Sequence, residues 1–500
     1  MLSIASLAVI PLAYILLRVI YNTWFHPLAH VPGPRSWSAT RLPFIWALLR
    51  GTIVHDFQRL HRRYGPVVRT APDEVSISDG DGWTDIYSAN SPFLKDPTWW
   101  KSQPGHPDSL LSAINPDKHA IIRKALSPGF TPRALRAQEP LLQKYVNLLV
   151  QRLHERVEKA DIGYGGKEKG VEINMTPWFN YTTFDIFGEL GFGESFKCLE
   201  HSQYHPWISL LFNSVKAASF VAAARFYPLL ESLLMRLIPP ALRKMQKDHF
   251  QQIADKVQRR LGWELQQPDI MSHLIGEGGK LELPLGELNA TFMILTTAGS
   301  ETTATVLTGT LNYLVNNPEK LAILVDEVRS TFHGVLDISM DAVRNLPYLN
   351  AVINEGLRLC PPVPWMLPRL VPGGGRVISR VWLPEGTRVS LQPYSLYRDP
   401  KKFHQATTFI PERWLPIQPS SPFFRDDRSA VQPFSMGTRS CMGVYIAWAE
   451  MRLILAKLLF EFDFECIHEK QLRWEELRTF LLVEKRPLEV RVSSVKNQAA

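Results

Sequence analysis

The chain has 500 residues, of which 45% are hydrophobic and 21% charged, values typical of a globular protein with a large core. Its formal charge of +8 is a small excess, and no dense lysine and arginine run with interleaved aromatic residues is present, so nucleic-acid binding is not expected. Its four cysteines include no C-x-x-C pair, which argues against zinc ribbons and thioredoxin-like redox motifs.

Residues 1–21 predict a transmembrane anchor. The segment carries no charge before Arg18 and approaches the roughly 20 apolar residues that span a bilayer. A basic first region and a cleavage site are both missing, so a cleaved secretory peptide is the weaker interpretation, and a buried N-terminal helix is a second alternative. Arg18, Arg35 and Arg41 follow the apolar stretch, which places the body of the protein in the cytoplasm by the positive-inside rule.

A proline-rich hinge is predicted at residues 22–36, where Val31-Pro32-Gly33-Pro34 combines fixed and free backbone torsions. Residues 37–500 are predicted to form one large domain. The mild positive charge fits an anionic membrane face or an acidic protein partner, although it also fits a surface with no partner.

Apolar periodicity and breaker residues predict a mainly α body with small sheets near both ends, an α+β fold class. The chain from 115 to 330 is expected to be mostly helical, with exposed glycine turns at 163–166 and 276–279. The individual helices and strands are predicted at His55–Tyr64, Val67–Thr70, Glu74–Ile77, Leu285–Asn316, Leu346–Leu359, Arg376–Leu383, Arg388–Leu391 and Met442–Phe460, with a proline-rich loop at 410–435.

The segment Phe434–Gly443 fits the pattern F-x-x-G-x-R-x-C-x-G, which should arise by chance in roughly one chain in 10⁴. It resembles the cysteine-ligand loop of cytochromes P450, with Thr438 where the family often has proline. The resemblance implies that Cys441 is the axial ligand of a haem b iron, in front of a helix end that stabilises a thiolate. A buried structural cysteine in a glycine loop is the alternative.

The other residues of this loop have roles by the same resemblance. Phe434 belongs to the cofactor-binding set. Gly437 and Gly443 let the backbone approach the haem plane, and Arg439 pairs with a haem propionate. Two further clamps are implied: Arg369, and the helical pair of His119 and Arg123, which match a family site with His119 in place of tryptophan. A plain surface pair at this i,i+4 spacing is the alternative for the latter two.

Midway along the predicted long helix, Ala298-Gly299-Ser300-Glu301-Thr302-Thr303 resembles the family motif A-G-x-[DE]-T-[TS]. Ala298 and Gly299 then leave room for a diatomic ligand above the iron, and Glu301 and Thr302 relay protons to dioxygen. Close helix packing is the alternative for the small residues. By resemblance, Glu355, Arg358 and Arg413 form a buried charged network that is structural and supports the cysteine loop.

Segments outside these motifs are expected to contact substrate. The candidates are residues 95–112, 207–242 and 363–367, together with Ala298 and Thr302. The apolar stretch 207–242 either forms ordinary helical core or dips into the membrane and admits a lipophilic substrate.

The predicted overall fold is that of cytochromes P450, with haem between a long distal helix and a proximal cysteine loop. The predicted activity is insertion of one atom of O2 into a lipophilic small molecule. A haem-thiolate isomerase, dehydratase or nitric oxide reductase is the first alternative, and a non-catalytic haem or lipid-binding sensor is the second. The acid–alcohol pair Glu301-Thr302 favours the monooxygenase, because neither alternative requires a proton relay.

No G-x-G-x-x-G unit is present, and the segment after Cys441 is too short for a flavin domain. The resemblance therefore implies that electrons come from NADPH through a separate NADPH–cytochrome P450 reductase, with cytochrome b5 as a second candidate donor. The start Tyr21–Leu28 is similar to fungal members of the family that act in secondary-metabolite pathways. A single-pass protein of the endoplasmic reticulum membrane, with the catalytic domain facing the cytoplasm, is the expected location.

Overall fold

The computed structural model describes residues 4–102, 105–163, 170–237, 239–263, 267–275 and 281–495. Within these ranges the chain is mainly α-helical, and its short strands form small sheets, as the sequence predicts. The predicted glycine turns fall largely on residues 164–166 and 276–279, which lie outside the described ranges.

The α-helices are numbered in chain order. They are α1 Ile4–Ile20, α2 Arg35–Ala39, α3 Leu42–Arg50, α4 Ile53–Tyr64, α5 Asp81–Tyr87, α6 Pro97–Trp100, α7 Pro116–Leu126, α8 Pro132–Gly163, α9 Met175–Phe192, α10 Cys198–His201, α11 Pro206–Arg225, α12 Pro228–Leu237, α13 Pro240–Leu261, α14 Leu285–Val315, α15 Pro318–Thr331, α16 Met340–Arg344, α17 Pro347–Leu359, α18 Pro393–Leu396 and α19 Val444–Glu461. A π-helical turn at Tyr21–Phe25 continues α1.

The strands are also numbered in chain order. They are β1 Val67–Ala71, β2 Glu74–Ile77, β3 Leu94–Lys95, β4 Val171–Asn174, β5 Arg369–Leu370, β6 Arg376–Ile378, β7 Val381–Leu383, β8 Arg388–Leu391, β9 Phe462–Cys466, β10 Thr479–Phe480, β11 Leu482–Val483 and β12 Glu489–Ser494.

Five of these strands form a mixed sheet in the order β1-β2-β8-β5-β3, in which only the β2–β8 pairing is parallel. A second, antiparallel sheet has the order β4-β12-β9 and joins the middle of the chain to its end. Two hairpins, β6-β7 and β10-β11, complete the β structure of the described ranges. The pairing of β3 with β5 brings Lys95 beside Arg369, so two basic residues occupy neighbouring strands.

The predicted elements that carry the motifs are present with small changes in their bounds. Helix α14 begins after Pro284 and ends before Asn317-Pro318, because proline cannot continue a helix. Helix α19 begins at Val444, two residues later than predicted, so that the residues after Cys441 belong to the loop. The predicted strand region at 376–383 is a hairpin that turns at Ser379 and Arg380, both with positive φ.

The largest core cluster is built around α14, which packs on α9, α17 and α19. Two glycines let α14 pack closely against α17 and against Cys360, the residue that follows α17. A Cβ at Gly309 would lie 2.3 Å from the Cys360 sulfur, and a Cβ at Gly356 would lie 2.1 Å from Thr310 Oγ1. Since α17 and α19 carry the residues around the cysteine loop, this packing sets the distance between that loop and α14.

Helix α1 has 17 residues, and the described side chains along it from Val9 to Leu17 are exposed. None of the helices within the described ranges combines the length and the apolar character that crossing a bilayer requires. The anchor at residues 1–21 stays a prediction.

The predicted hinge segment contacts the body of the protein. Leu28 and Val31 are buried in a core cluster, and the Arg69 N–H donates a 2.8 Å hydrogen bond to the Pro32 carbonyl. Arg41, one of the three positive charges used to orient the anchor, is buried and forms ion pairs with Asp73 and Glu74. It therefore stabilises the sheet edge and is not a free surface charge.

Candidate active site

The segment Phe434–Gly443 forms a tight loop that ends where α19 begins. The Cys441 N–H donates a 2.9 Å hydrogen bond to the Phe434 carbonyl, which closes the loop. Gly437 has a φ of +73°, and a Cβ there would lie 2.1 Å from the Tyr87 carbonyl oxygen. Only glycine fits at such a position, so the backbone itself holds Cys441 in place.

The Cys441 side chain is accessible to solvent although protein atoms surround it closely, which indicates that it faces an internal recess. Burial raises the pKa of its thiol, while the Gly443 N–H and the charge of Arg123 act to lower it. A coordinated metal cation deprotonates a thiol outright, so this environment suits a metal-bound thiolate. Gly443 is the N-cap of α19, and no atom other than the Cys441 sulfur, at 4.0 Å, would contact a Cβ there.

Helix α14 has an open face near its middle. Most of the helix is buried, yet Ala298 is exposed and Thr302 is half-buried, and residues four apart share a helix face. The neighbouring residues Leu295, Ser300 and Glu301 are buried, so the open face is confined to one side of this part of α14. The Thr302 hydroxyl donates a 2.7 Å hydrogen bond to the Ala298 carbonyl. The role of Ala298 and Thr302 on the oxygen side of the site stays a prediction.

Gly299 has a different environment from Ala298. A Cβ at Gly299 would lie 2.8 Å from the Phe187 ring of α9, and the neighbouring Ser300 hydroxyl donates to the Thr183 carbonyl at 3.2 Å. Gly299 therefore lets α9 and α14 approach closely, as the alternative interpretation of the small residues anticipates. Its contribution to the space for a diatomic ligand stays a prediction.

The four basic residues expected to hold the cofactor lie near one another: His119, Arg123, Arg369 and Arg439. Arg439 donates hydrogen bonds of 2.6 and 2.9 Å to the carbonyls of residues 113 and 114, and Arg123 donates one of 2.8 Å to the Ser440 carbonyl. His119 is buried, and burial followed by the charge of Arg439 lowers its pKa to about 3. His119 and Arg123 are therefore not a plain surface pair.

A further basic residue near this cluster, Lys95, was not anticipated from the sequence. It is buried on β3, its ammonium lies 3.9 Å from the centre of the Trp100 ring, and it donates a hydrogen bond to the Leu111 carbonyl. Burial, together with the charges of Arg439 and Arg369, lowers its pKa well below the usual value. A single lysine before two tryptophans does not indicate in the sequence that Lys95 belongs to this basic cluster. The pairing of β3 with β5, which sets Lys95 beside Arg369, shows it.

The four basic residues Lys95, Arg123, Arg369 and Arg439 form no ion pair with a carboxylate of the described residues. Buried charges are normally paired, because an unpaired charge in a low-dielectric interior is costly. The cluster therefore fits a bound group that supplies at least two negative charges. A haem, with its two propionates, satisfies this requirement beside a cysteine sulfur.

The predicted structural network is formed and fully buried. Glu355 accepts hydrogen bonds of 2.9 and 2.7 Å from Arg358 and one of 3.1 Å from Arg413. The Trp414 indole and the Ile410 N–H also donate to the same carboxylate. Burial raises the pKa of Glu355, but the charges and hydrogen bonds of the two arginines outweigh it and lower that pKa overall. The three predicted residues thus fix the segment that leads to the cysteine loop.

Glu301 is buried and has an ion-pair partner that the sequence did not indicate. The Lys485 ammonium, near the C-terminal end of the chain, donates to Glu301 Oε1 and, at 3.1 Å, to Thr305 Oγ1. Burial raises the pKa of Glu301 and lowers that of Lys485. Glu301 and Lys485 are 184 residues apart, so no local sequence pattern indicates that they form an ion pair.

A second buried carboxyl group, Glu450 on α19, lies beside α14. Burial raises the pKa of Glu450 to about 8, and its hydrogen bond with Thr303 acts in the opposite direction. At neutral pH this group is mostly protonated, so it joins the two helices as a neutral hydrogen-bonding residue.

All three of the predicted substrate segments contribute to one aromatic cluster. Trp99, Trp365 and Phe226 have ring centres 5.3 to 6.0 Å apart in the contacting pairs. Phe44 and Phe57 of α3 and α4 pack on Trp365. The side chains of 206–215, part of the predicted stretch 207–242, lie outside the described residues.

Comparison with known proteins agrees with this geometry. The family model described as Cytochrome P450 matches residues 34–492. The chain belongs to the cytochrome P450 family. The cytochrome P450 monooxygenase lcsI of Purpureocillium lilacinum is 41% identical, over 98% of this chain and 94% of its own length. For astA of Talaromyces wortmannii the identity is 39%, over 98% of this chain and 97% of that protein.

A further relative is the averantin hydroxylase of Dothistroma septosporum, 38% identical over 96% of this chain and 89% of its own length. All three relatives are fungal, and their names describe monooxygenases or a hydroxylase. The predicted family, the P450 fold and the monooxygenase activity are therefore confirmed. A haem and a separate source of electrons derived from NADPH follow from membership of the family.

Replacing Lys95 with methionine is expected to weaken haem binding. The variant removes one charge-assisted interaction worth about 1.5 kcal/mol, which corresponds to roughly tenfold faster haem loss. Transfer of haem from the P450 to an excess of apomyoglobin measures this rate. Lys118→Met is the matched control, because Lys118 is exposed and already ion-paired with Asp108 and Glu287. Equal transfer rates for the two variants would contradict the assignment of Lys95.

Proposed function

We propose that this enzyme is a haem-thiolate monooxygenase in which Cys441 is the axial ligand of haem b. The observation that carries the proposal is the position of Cys441, which is held by a rigid loop in front of α19 and opens onto an internal recess. Haem b bound there supplies a redox-active iron at which O2 is reduced, so that one oxygen atom enters the substrate.

The residues around Cys441 have separate tasks in this proposal. Arg369, Arg439 and Lys95 neutralise the two propionates, and His119 donates a ring N–H to one of them. Arg123 stabilises the thiolate through its charge and its contact with the loop. The half-buried Phe434 packs on the core beneath the loop. Gly437 lets the loop approach the backbone at Tyr87, and Gly443 keeps the space beside the sulfur free of a side chain. These contacts explain why the motif requires these residue types at these positions.

Thr302 and Glu301 deliver protons to the oxygen side in this proposal. The Thr302 hydroxyl lies on the open face of α14, where it can exchange its hydrogen bond to Ala298 for one to a water molecule or to O2. Ala298 keeps that face clear. Glu301, with Lys485, holds a proton behind it, since burial favours sharing one proton between the two side chains.

The substrate that we propose is a lipophilic small molecule of a fungal secondary-metabolite pathway. The aromatic cluster of Trp99, Phe226 and Trp365 supports an apolar substrate, because it joins the predicted substrate segments through contacts between aromatic rings. Averantin hydroxylase, one of the relatives, is named for the hydroxylation of such a compound. Electrons would come from NADPH–cytochrome P450 reductase, with cytochrome b5 as an additional donor.

We also propose that the protein is attached to the endoplasmic reticulum membrane by residues 1–21 and by α12. None of the ten residues of α12 is buried, and Leu229 is 90% exposed. Helix α12 follows Phe226, which packs on Phe44 of α3, and α3 itself exposes Trp46. An apolar surface of this kind on one side of a protein is typical of attachment to a lipid interface.

Cys441→Ser is expected to abolish the red-shifted Soret band of the reduced, CO-bound protein, because that band requires a thiolate ligand. The CO difference spectrum measures it directly. Cys466→Ser is the matched control and should retain the band, because Cys466 lies on β9 in contact with Asn316. A band that persists in Cys441→Ser would show that the ligand had been assigned wrongly.

Thr302→Ala is expected to divert electrons from product to hydrogen peroxide, by roughly tenfold or more, because proton delivery is impaired. Peroxide formed per NADPH consumed, measured with the reductase, reports this change. Thr308→Ala serves as control, since the Thr308 hydroxyl makes the same type of bond, 2.7 Å to the Ala304 carbonyl, on a fully buried part of α14. An unchanged ratio in Thr302→Ala would exclude the relay role.

Deletion of residues 1–22 is expected to leave the protein bound to membranes only peripherally, so that alkaline carbonate extracts it. Adding Leu229→Ser and Leu233→Ser should then release it without extraction, because both side chains are exposed and their removal costs no core packing. Sedimentation of microsomes followed by immunoblotting measures both steps. Carbonate-resistant binding of the truncated protein would place the anchor elsewhere.

A further inference from the structure

The carboxyl group of Glu301 has one satisfied and one unsatisfied oxygen. Glu301 Oε1 accepts from Lys485, whereas Oε2 is buried and has no hydrogen-bond partner among the described residues. Asn180 on α9 has the same property: its Nδ2 donates to the Tyr204 hydroxyl at 2.7 Å, and its Oδ1 is buried without a partner in the described part of the chain. Orphaned buried acceptors are usually satisfied by ordered water.

Glu301 and the Asn180–Tyr204 pair lie in the same region of the structure. The contact between the Ser300 hydroxyl and the Thr183 carbonyl fixes α9 against α14 next to Glu301, and Asn180 precedes Thr183 by about one helical turn. Burial raises the pKa of the Tyr204 phenol, and the charge of Glu301 contributes in the same direction. The two orphaned oxygens thus belong to one buried polar region.

This polar region lies next to a surface cleft. The Tyr204 ring stands edge-on to the Tyr181 ring, with 4.9 Å between their centres. Tyr181 in turn lines a surface cleft of about 470 Å³ between α8, β4 and α9, together with Trp178 and Ser202. Tyr204 thus contacts a residue of the cleft wall on one side and Asn180 on the other.

We propose that the protons consumed during oxygen reduction enter from this cleft through Tyr204 and Asn180 to Glu301, and that Lys485 is a positioning residue for the Glu301 carboxyl group. The inference rests on the proposed function, because it supplies the route by which Glu301 is reprotonated. Each turnover takes up two protons, two electrons from NADPH and one O2. One oxygen atom enters the substrate and the other leaves as water.

Protons move along this route by successive transfers. Water in the cleft gives a proton to the Tyr204 hydroxyl as that hydroxyl passes its own proton inward. A water molecule held by Asn180 Oδ1 carries it to Glu301 Oε2, the oxygen that Lys485 leaves free. Glu301 then passes a proton toward Thr302, and each group ends with the number of protons it had at the start. If protons do not follow this route, the ion pair between Glu301 and Lys485 only stabilises the fold.

Infrared spectroscopy of the haem-loaded enzyme tests the route without turnover. Lys485→Met removes the cation beside Glu301, and a buried, unpaired glutamic acid has a pKa as high as about 8–9, so Glu301 should be protonated at neutral pH. Its carboxylic-acid C=O band is identified by subtracting the spectrum of the double variant with Glu301→Gln. That subtraction also cancels the band of the protonated Glu450. Lys485→Gln replaces Lys485→Met if the latter does not fold.

Mixing with D2O then measures how fast the Glu301 proton exchanges with bulk water. In the Lys485→Met background, Tyr204→Phe and Asn180→Leu are expected to slow the band shift by about a hundredfold, the lower end of what a positioned proton-transfer group contributes. Tyr227→Phe, at an exposed tyrosine elsewhere, is the matched control and should leave the rate unchanged. Slow exchange in the two route variants alone supports the proposal.

Two outcomes overturn it. Equal exchange rates in Tyr204→Phe, Asn180→Leu and the control would show that protons reach Glu301 by another path. Absence of the acid band in Lys485→Met would show that Lys485 does not set the state of Glu301. The CO difference spectrum of each variant separates these results from a failure of the proposed function, since a thiolate band that persists leaves the haem assignment intact while the route fails.

Discussion

The buried carboxylate of Glu355 is the interaction on which the geometry of the site depends. It accepts hydrogen bonds from Arg358, Arg413, Trp414 and the Ile410 backbone in a region with no exposure to solvent. Removing one partner of such a network typically costs about 3–5 kcal/mol, because it leaves a charge buried and unpaired. The long segment from α18 to α19 has few helices of its own, so its path to the cysteine loop is set by these bonds.

The basic residues around the cysteine loop differ from the charged residues around Glu355 in their partners. Around Glu355 every charge has a partner, whereas Lys95, Arg123, Arg369 and Arg439 have only backbone carbonyls, aromatic rings and a hydroxyl as neighbours within the described residues. The protein thus brings together cations that repel one another in a poorly solvated place. A negatively charged group in the same space stabilises this arrangement, so in the function that we propose haem binding would be coupled to the final structure of this region.

Local patterns made most of this architecture predictable. The spacing of the cysteine motif indicated the family. The prolines near the ends of α14 and α17 indicated where these helices lie. Contacts that depend on tertiary structure were not predictable. Lys95 reaches the cation cluster through a two-residue strand, and Lys485 reaches Glu301 from the far end of the chain. Gly299 matched the motif, yet its close contact with Phe187 depends on how α9 crosses α14.

Helix α14 serves two environments at once, and this division explains its composition. Its open face carries Ala298 and Thr302, where small or hydroxyl side chains leave space. The adjacent residue Glu301 points its carboxyl group into a buried polar region with Lys485. A single step along the helix turns by about 100°, so consecutive residues necessarily face different surroundings. In the function that we propose, the acid–alcohol order of the motif would therefore place a proton store behind the helix and a proton donor in front of it.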